Sequence, residues 1–84
     1  MRFLYFYLMA DAPDGVRAAA PEHAAYWRDL PLGYYEGGPF ADRQGGLVVF
    51  DADSLGEAER LAADDPFRRR DLIDEYWLKE WLLH

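Results

Sequence analysis

Ile73-Asp74-Glu75-Tyr76-Trp77-Leu78-Lys79-Glu80-Trp81-Leu82-Leu83 admits two readings. Ile73, Tyr76, Trp77 and Trp81 fit a helical period, whereas Tyr76, Leu78, Glu80 and Leu82 alternate against Trp77, Lys79, Trp81 and Leu83 as a strand does. The elements before the stretch decide between them. Phe3 to Met9 is apolar on both alternating sides, Phe3, Tyr5 and Tyr7 against Leu4, Phe6 and Leu8, so it reads as a strand covered on both faces. After the turn Asp11-Ala12-Pro13-Asp14-Gly15, the residues Val16, Ala20, His23, Trp27 and Leu30 recur on one helical face. Pro21 inside that run predicts a kink, or a regular helix that begins near it. Gly33 to Phe40 predicts a short second strand around Tyr34 and Tyr35, broken by Gly37-Gly38-Pro39. Gly45-Gly46 turns the chain into a third strand, Leu47 to Phe50. Ser54 and Glu57 form a capping box ahead of the Leu55, Ala58, Leu61 and Ala62 stripe of a second helix, which Asp65-Pro66 stops. A strand over the ambiguous stretch then completes β-α-β-β-α-β. The expected fold is α+β and ferredoxin-like, an antiparallel sheet with two helices on one face.

Eighty-four residues make a single domain, 1–84, that buries only roughly 60 to 65% of its unfolded surface. Yet 51% of the residues are hydrophobic and 17% aromatic, more than so small a core encloses. The second face of the sheet is therefore expected to carry the surplus into a homodimer. A formal charge of −7 argues against nucleic acid, whose phosphates demand clustered Lys and Arg. With no cysteine, disulfides, thiolate catalysis and cysteine-ligated zinc are excluded. The apolar start, Met1 to Met9, is short for a secretory leader and rich in β-favouring aromatics; with no membrane-spanning segment, a cytoplasmic location is expected. Asp51-Ala52-Asp53 with Gly56 mimics the start of a calcium loop, but Leu55 and Ala62 stand where ligands are required, so no metal is expected.

His23 and Asp65 are the two residues that suggest chemistry. An imidazole on an apolar helix stripe and a carboxylate at a helix end form a proton-transfer pair if the fold brings them together. The bland reading of each is a hydrogen-bonded core histidine and a helix stop. Trp27, Tyr34 and Tyr35 are candidates to line an apolar pocket, and core or dimer packing accounts for them equally. Gly38-Pro39 is expected to let a strand end close to the site. Arg68-Arg69-Arg70 is either a solvated run or a holder of carboxylate or phosphate beside Asp65-Pro66-Phe67.

In order along the chain, Phe3 to Leu8, Pro21-Glu22-His23, Gly38-Pro39-Phe40, Gly46 to Phe50, Ala58, Leu61-Ala62, Asp65-Pro66-Phe67, Leu72-Ile73, Tyr76 and Trp81 resemble the YciI-like (YCII-related) family. The resemblance implies a ferredoxin-like protomer of the dimeric α+β barrel group. It also implies a histidine and an aspartate facing a pocket, positions that fall on His23 and Asp65. Trp27, Tyr34, Gly38, Pro39 and Phe67 would then contact a small substrate. Some members are lyase-like enzymes that eliminate chloride from chlorinated hydroxylated aromatics or isomerise lactones, which implies a lyase or isomerase that needs no cofactor. The alternative is a non-catalytic module that binds a small molecule or dimerises. Three departures from the family pattern stand out: Ala20 replaces a frequent Arg, the link from the first helix to the second strand is short, and Asp71 replaces a frequent Gly.

Overall fold

The computed structural model describes residues 1–84. Its elements run β1 (Arg2–Met9), α1 (Pro13–Asp29), β2 (Tyr35–Pro39), β3 (Gly45–Asp51), α2 (Leu55–Ala63), α3 (Pro66–Arg69) and β4 (Ile73–Glu80). The sheet order is β2-β3-β1-β4, antiparallel at every pairing. This is the expected α+β ferredoxin-like arrangement, and the ambiguous C-terminal stretch is its edge strand. Pairing with β1 settles that stretch: Tyr5 lies opposite Leu78, Phe6 opposite Trp77 and Tyr7 opposite Tyr76.

Residues directly opposite one another across a sheet share a face. Phe3, Tyr5 and Tyr7 therefore lie beside Phe50, Val48 and Gly46 on the helix-covered side. All three aromatics are buried, as are Val48 and Phe50. The helices meet this aromatic layer with Ala19, Ala58 and Ala62, small residues that let them approach, and with Trp27, which is fully enclosed. The Trp27 ring lies 4.9 Å from Phe50 and parallel to Tyr35 at 6.3 Å. The opposite side of the sheet carries Leu4, Phe6, Leu47, Val49 and Trp77, with Phe6 packed edge-on against Trp77. The protomer itself covers one face, not the two that the β1 pattern demands.

Three local expectations are corrected. Of the two expectations for Pro21, a regular helix beginning near it is overturned: α1 continues through Pro21 from Pro13 to Asp29. Pro21 is exposed, so the carbonyl deprived of its helical partner faces the solvent side, where water satisfies it. Strand β2 is not broken by Gly37-Gly38-Pro39; those residues are part of it. As an edge strand it tolerates a proline at its end. After α2, Asp65-Pro66 begins a further short helix, α3, as well as marking the end of the one before it. The Asp65 carboxylate caps α3 by accepting from the Phe67 N–H at 2.8 Å, and Pro66 occupies the first helical position. Leu72 N–H returns to the Phe67 carbonyl at 2.8 Å and Asp71 N–H to that of Arg68 at 3.1 Å, a Schellman closure with Asp71 at φ 57°. The left-handed conformation explains why glycine suits this position; aspartate is among the few side chains that tolerate it. The Ser54 half of the capping box is present, its hydroxyl accepting from Glu57 N–H at 3.1 Å.

Candidate active site

Helix α1 and the cap of α3 meet above the end of β1, and there the two predicted residues touch. His23 Nδ1 lies 2.7 Å from Asp65 Oδ2. Asp65 is wholly buried, and three donors converge on it: the His23 ring, Trp27 Nε1–H at 2.7 Å on the same oxygen, and Phe67 N–H on the other. An ionised carboxylate, which only accepts, satisfies all three. The arrangement fixes the imidazole: Nδ1 carries the proton that Asp65 accepts, which leaves Nε2 as the basic nitrogen of the neutral ring. The Phe67 ring stacks on the imidazole at 4.2 Å and 16°, holding its plane. The His23 side chain remains 12% exposed, so the ring is reachable while its aspartate is sealed.

The partner of Nε2 is Tyr7, whose hydroxyl lies 3.2 Å away. Burial, chiefly, and then the Asp65 charge raise the Tyr7 phenol well above its ordinary range, so it stays protonated and donates to Nε2. Tyr7 can take this position because the residue opposite it on β3 is Gly46. A Cβ there would stand 2.3 Å from the Tyr7 hydroxyl oxygen and 2.7 Å from Cζ. Sequence reasoning placed Tyr7 in a row with Phe3 and Tyr5 without seeing its contact with His23. The available signal was the pairing of a polar-tipped aromatic with a glycine, legible only once the β1–β3 register is known.

The other predicted site residues divide. Phe67 is in van der Waals contact with the imidazole. Trp27 belongs to the cluster, but as the fully enclosed donor that holds Asp65, with no surface for a ligand. Pro39 lies opposite Gly46 and shares the face of Tyr7, whereas Gly38 lies opposite Leu47 and faces the uncovered side. Tyr34 is at the far end of the sheet. Its hydroxyl donates to Glu36 at 2.5 Å and its ring lies under the Arg2 guanidinium, which pairs with Asp51. Arg2 precedes Tyr7 by five residues on β1, roughly 16 Å along the strand. Two recesses, of about 390 and 330 Å³, open near that far end, around Arg2 and Trp81 and around Leu32 and Asp53. No group of three or more His, Cys, Asp or Glu side chains is placed to hold a metal ion, and no helix is long and apolar enough to cross a membrane.

Comparison with solved structures confirms the fold. The 5-chloro-2-hydroxyhydroquinone dehydrochlorinase TftG of Burkholderia phenoliruptrix AC1100, solved with 2,5-dihydroxybenzoquinone, superposes with a TM-score of 0.82 at 21% identity, covering 98% of this chain and 94% of that one. The cofactor-independent oxygenase SnoaB of Streptomyces nogalater gives 0.54 at 15% identity, covering 99% and 93%. No curated protein matches the sequence. The sequence model of the YCII-related domain matches residues 3–82, so the chain belongs to the YCII-related family.

Proposed function

We propose that the protein is a cofactor-independent lyase or isomerase that moves a proton on a small hydroxylated aromatic, with His23 as the base and Asp65 as the group that orients it. The 2.7 Å contact between His23 Nδ1 and the buried Asp65 carboxylate carries this reading. A substrate hydroxyl replaces the Tyr7 hydroxyl at Nε2 and gives up its proton there; the imidazolium so formed is stabilised by Asp65. In an elimination, the electron pair left on oxygen moves into the ring as a carbonyl forms and the imidazolium returns the proton to the ring carbon that bears the leaving group; removal of a second hydroxyl proton by His23 then forms the second carbonyl and expels the leaving group with its own pair, giving a quinone. In an isomerisation, His23 returns the proton to another atom. TftG, whose name gives a chlorinated hydroxyhydroquinone as its substrate, supports the choice of substrate class. The uncovered sheet face supports a homodimer as the working form.

Two observations favour a non-catalytic binding module: Tyr7 already occupies Nε2, and the recesses of about 390 and 330 Å³ lie elsewhere. The test is turnover of chlorinated and unchlorinated hydroquinones, with exchange of substrate protons in D₂O followed by NMR. We expect His23→Ala and Asp65→Asn each to slow the reaction roughly 10²- to 10⁴-fold, the range of positioned acid–base catalysis. Full activity in either variant rejects the pair, and absence of turnover and exchange in the wild type favours the module.

A further inference from the structure

Four arginines are paired with carboxylates: Arg2 with Asp51, Arg17 with Asp14, Arg28 with Asp29 and Arg70 with Glu22. Arg68 is not, although acidic side chains outnumber basic ones sixteen to nine. The other cations without a carboxylate partner, Arg43, Arg60, Arg69 and Lys79, are all exposed; Arg68 alone among them is half-buried. Its guanidinium carbon lies 3.9 Å above the centre of the Tyr76 ring. Such a contact engages the face of the guanidinium and leaves its in-plane N–H donors free. Partly desolvating a cation without an anion is unfavourable, and an acidic chain offers many ways to avoid it.

A second group beside it is also unpartnered. Tyr5 is completely buried, and its hydroxyl has no hydrogen-bond partner. Burial pushes that phenol up to about 12, and Arg68, near enough to donate toward the phenol oxygen though outside hydrogen-bond geometry, pulls against the rise; the O–H itself has no acceptor. Tyr5 meets Tyr76 edge-on at 6.0 Å and Tyr7 at 5.3 Å. Tyr76 is opposite Tyr7 across the β1–β4 pairing, and Arg68 directly follows Phe67, the ring stacked on His23. Arg68 is thus one residue along α3 from Phe67, and Tyr5 two residues along β1 from Tyr7, the next position on the same face.

We propose that Arg68 and the Tyr5 hydroxyl form the anion-holding half of the site, binding the ionised oxygen of an aromatic carboxylate or phenolate whose opposite edge meets His23. This deepens the functional reading above by fixing the charge of the substrate, and rests on it for the location of the reacting group. Ligand entry swings Arg68 off Tyr76, uncovers the Tyr5 hydroxyl, and gives both donors the acceptor they lack.

The test is calorimetric binding of 2,5-dihydroxybenzoate and of its methyl ester, the same ring without the charge. We expect the acid to bind about tenfold or more tighter than the ester, the scale of a charge-assisted hydrogen bond. Arg68→Met and Arg68→Gln should erase that preference and leave ester binding unchanged, whereas Arg68→Lys should retain part of it. Tyr5→Phe should weaken acid binding several-fold while raising the melting temperature, a combination that a purely structural role does not produce. His23→Ala should keep the acid-to-ester ratio, so a failure of the proton-transfer reading is seen in turnover alone. Equal binding of acid and ester, a preference that survives both Arg68→Met and Arg68→Gln, or no binding of either compound at millimolar concentration overturns the proposal.

Discussion

His23 and Asp65 are 42 residues apart in sequence, and their contact depends on neighbours that do no chemistry. Asp65 is at once helix cap, acceptor for the buried Trp27 indole and partner of the imidazole, so its position is over-determined. The site residue least visible in the chain is Gly46. Its lack of a side chain is what lets the Tyr7 hydroxyl reach Nε2, because a methyl group there would overlap the phenol oxygen. Gly46→Ala is therefore expected to cost about 1 to 3 kcal/mol, as overpacking of a buried site does, and to push Tyr7 away from His23. Denaturant unfolding measures the first effect, and the imidazole NMR signals of His23 the second. A variant of wild-type stability with unchanged imidazole signals would show that Tyr7 does not need this gap.

Strand β1 combines a hydrophobic wall with two phenols, Tyr5 and Tyr7, on its buried side. Both are raised chiefly by burial, Tyr5 to about 12, against roughly 10 for a tyrosine in an unfolded chain. The sign follows from linkage. A group whose pKa is raised on folding contributes its stabilisation in full below the unfolded value and loses it as pH climbs through the folded one. Ionising Tyr5 alone, whose phenol moves from about 10 to about 12 on burial, costs the folded state roughly 2 to 3 kcal/mol at high pH. Melting temperature should be insensitive to these groups up to about pH 10 and fall steeply between about 10 and 12. Tyrosinate absorbance should rise together with unfolding. If all the tyrosines titrate near pH 10 while the protein remains folded, the buried-phenol account of β1 is wrong.

At the scale of the molecule, an uncovered sheet face is the dominant feature. Phe6 and Trp77 pack against each other there with Leu4, Leu47 and Val49 alongside, yet Trp77 remains 43% exposed. A second protomer would cover such a face. Trp77→Glu places a charge at its centre without touching the helix-covered core. Light scattering should then report one chain where the wild type gives two, with helix and strand content by circular dichroism unchanged. A wild type that runs as a monomer, or a variant that still dimerises, would place the interface elsewhere.

Much of this protein was legible in the chain because short-range rules carry it. Alternation in Phe3 to Leu8, the stripe from Val16 to Leu30 and the Ser54 cap each report local geometry, and the order of elements was enough to make Tyr76 to Glu80 a strand. His23 and Asp65 could be picked out for the same reason: one lies on an apolar stripe, the other precedes a proline. The family resemblance then joined them. What the chain alone did not reveal was register and enclosure. That Tyr7 faces His23 over Gly46, that Trp27 is sealed behind Asp65, that Tyr34 lies at the far end of the sheet and that Arg68 has no carboxylate all depend on which residues the β1–β3 and β1–β4 pairings bring level. Periodicity tells which side a residue faces; only the pairing of distant strands decides what it meets there.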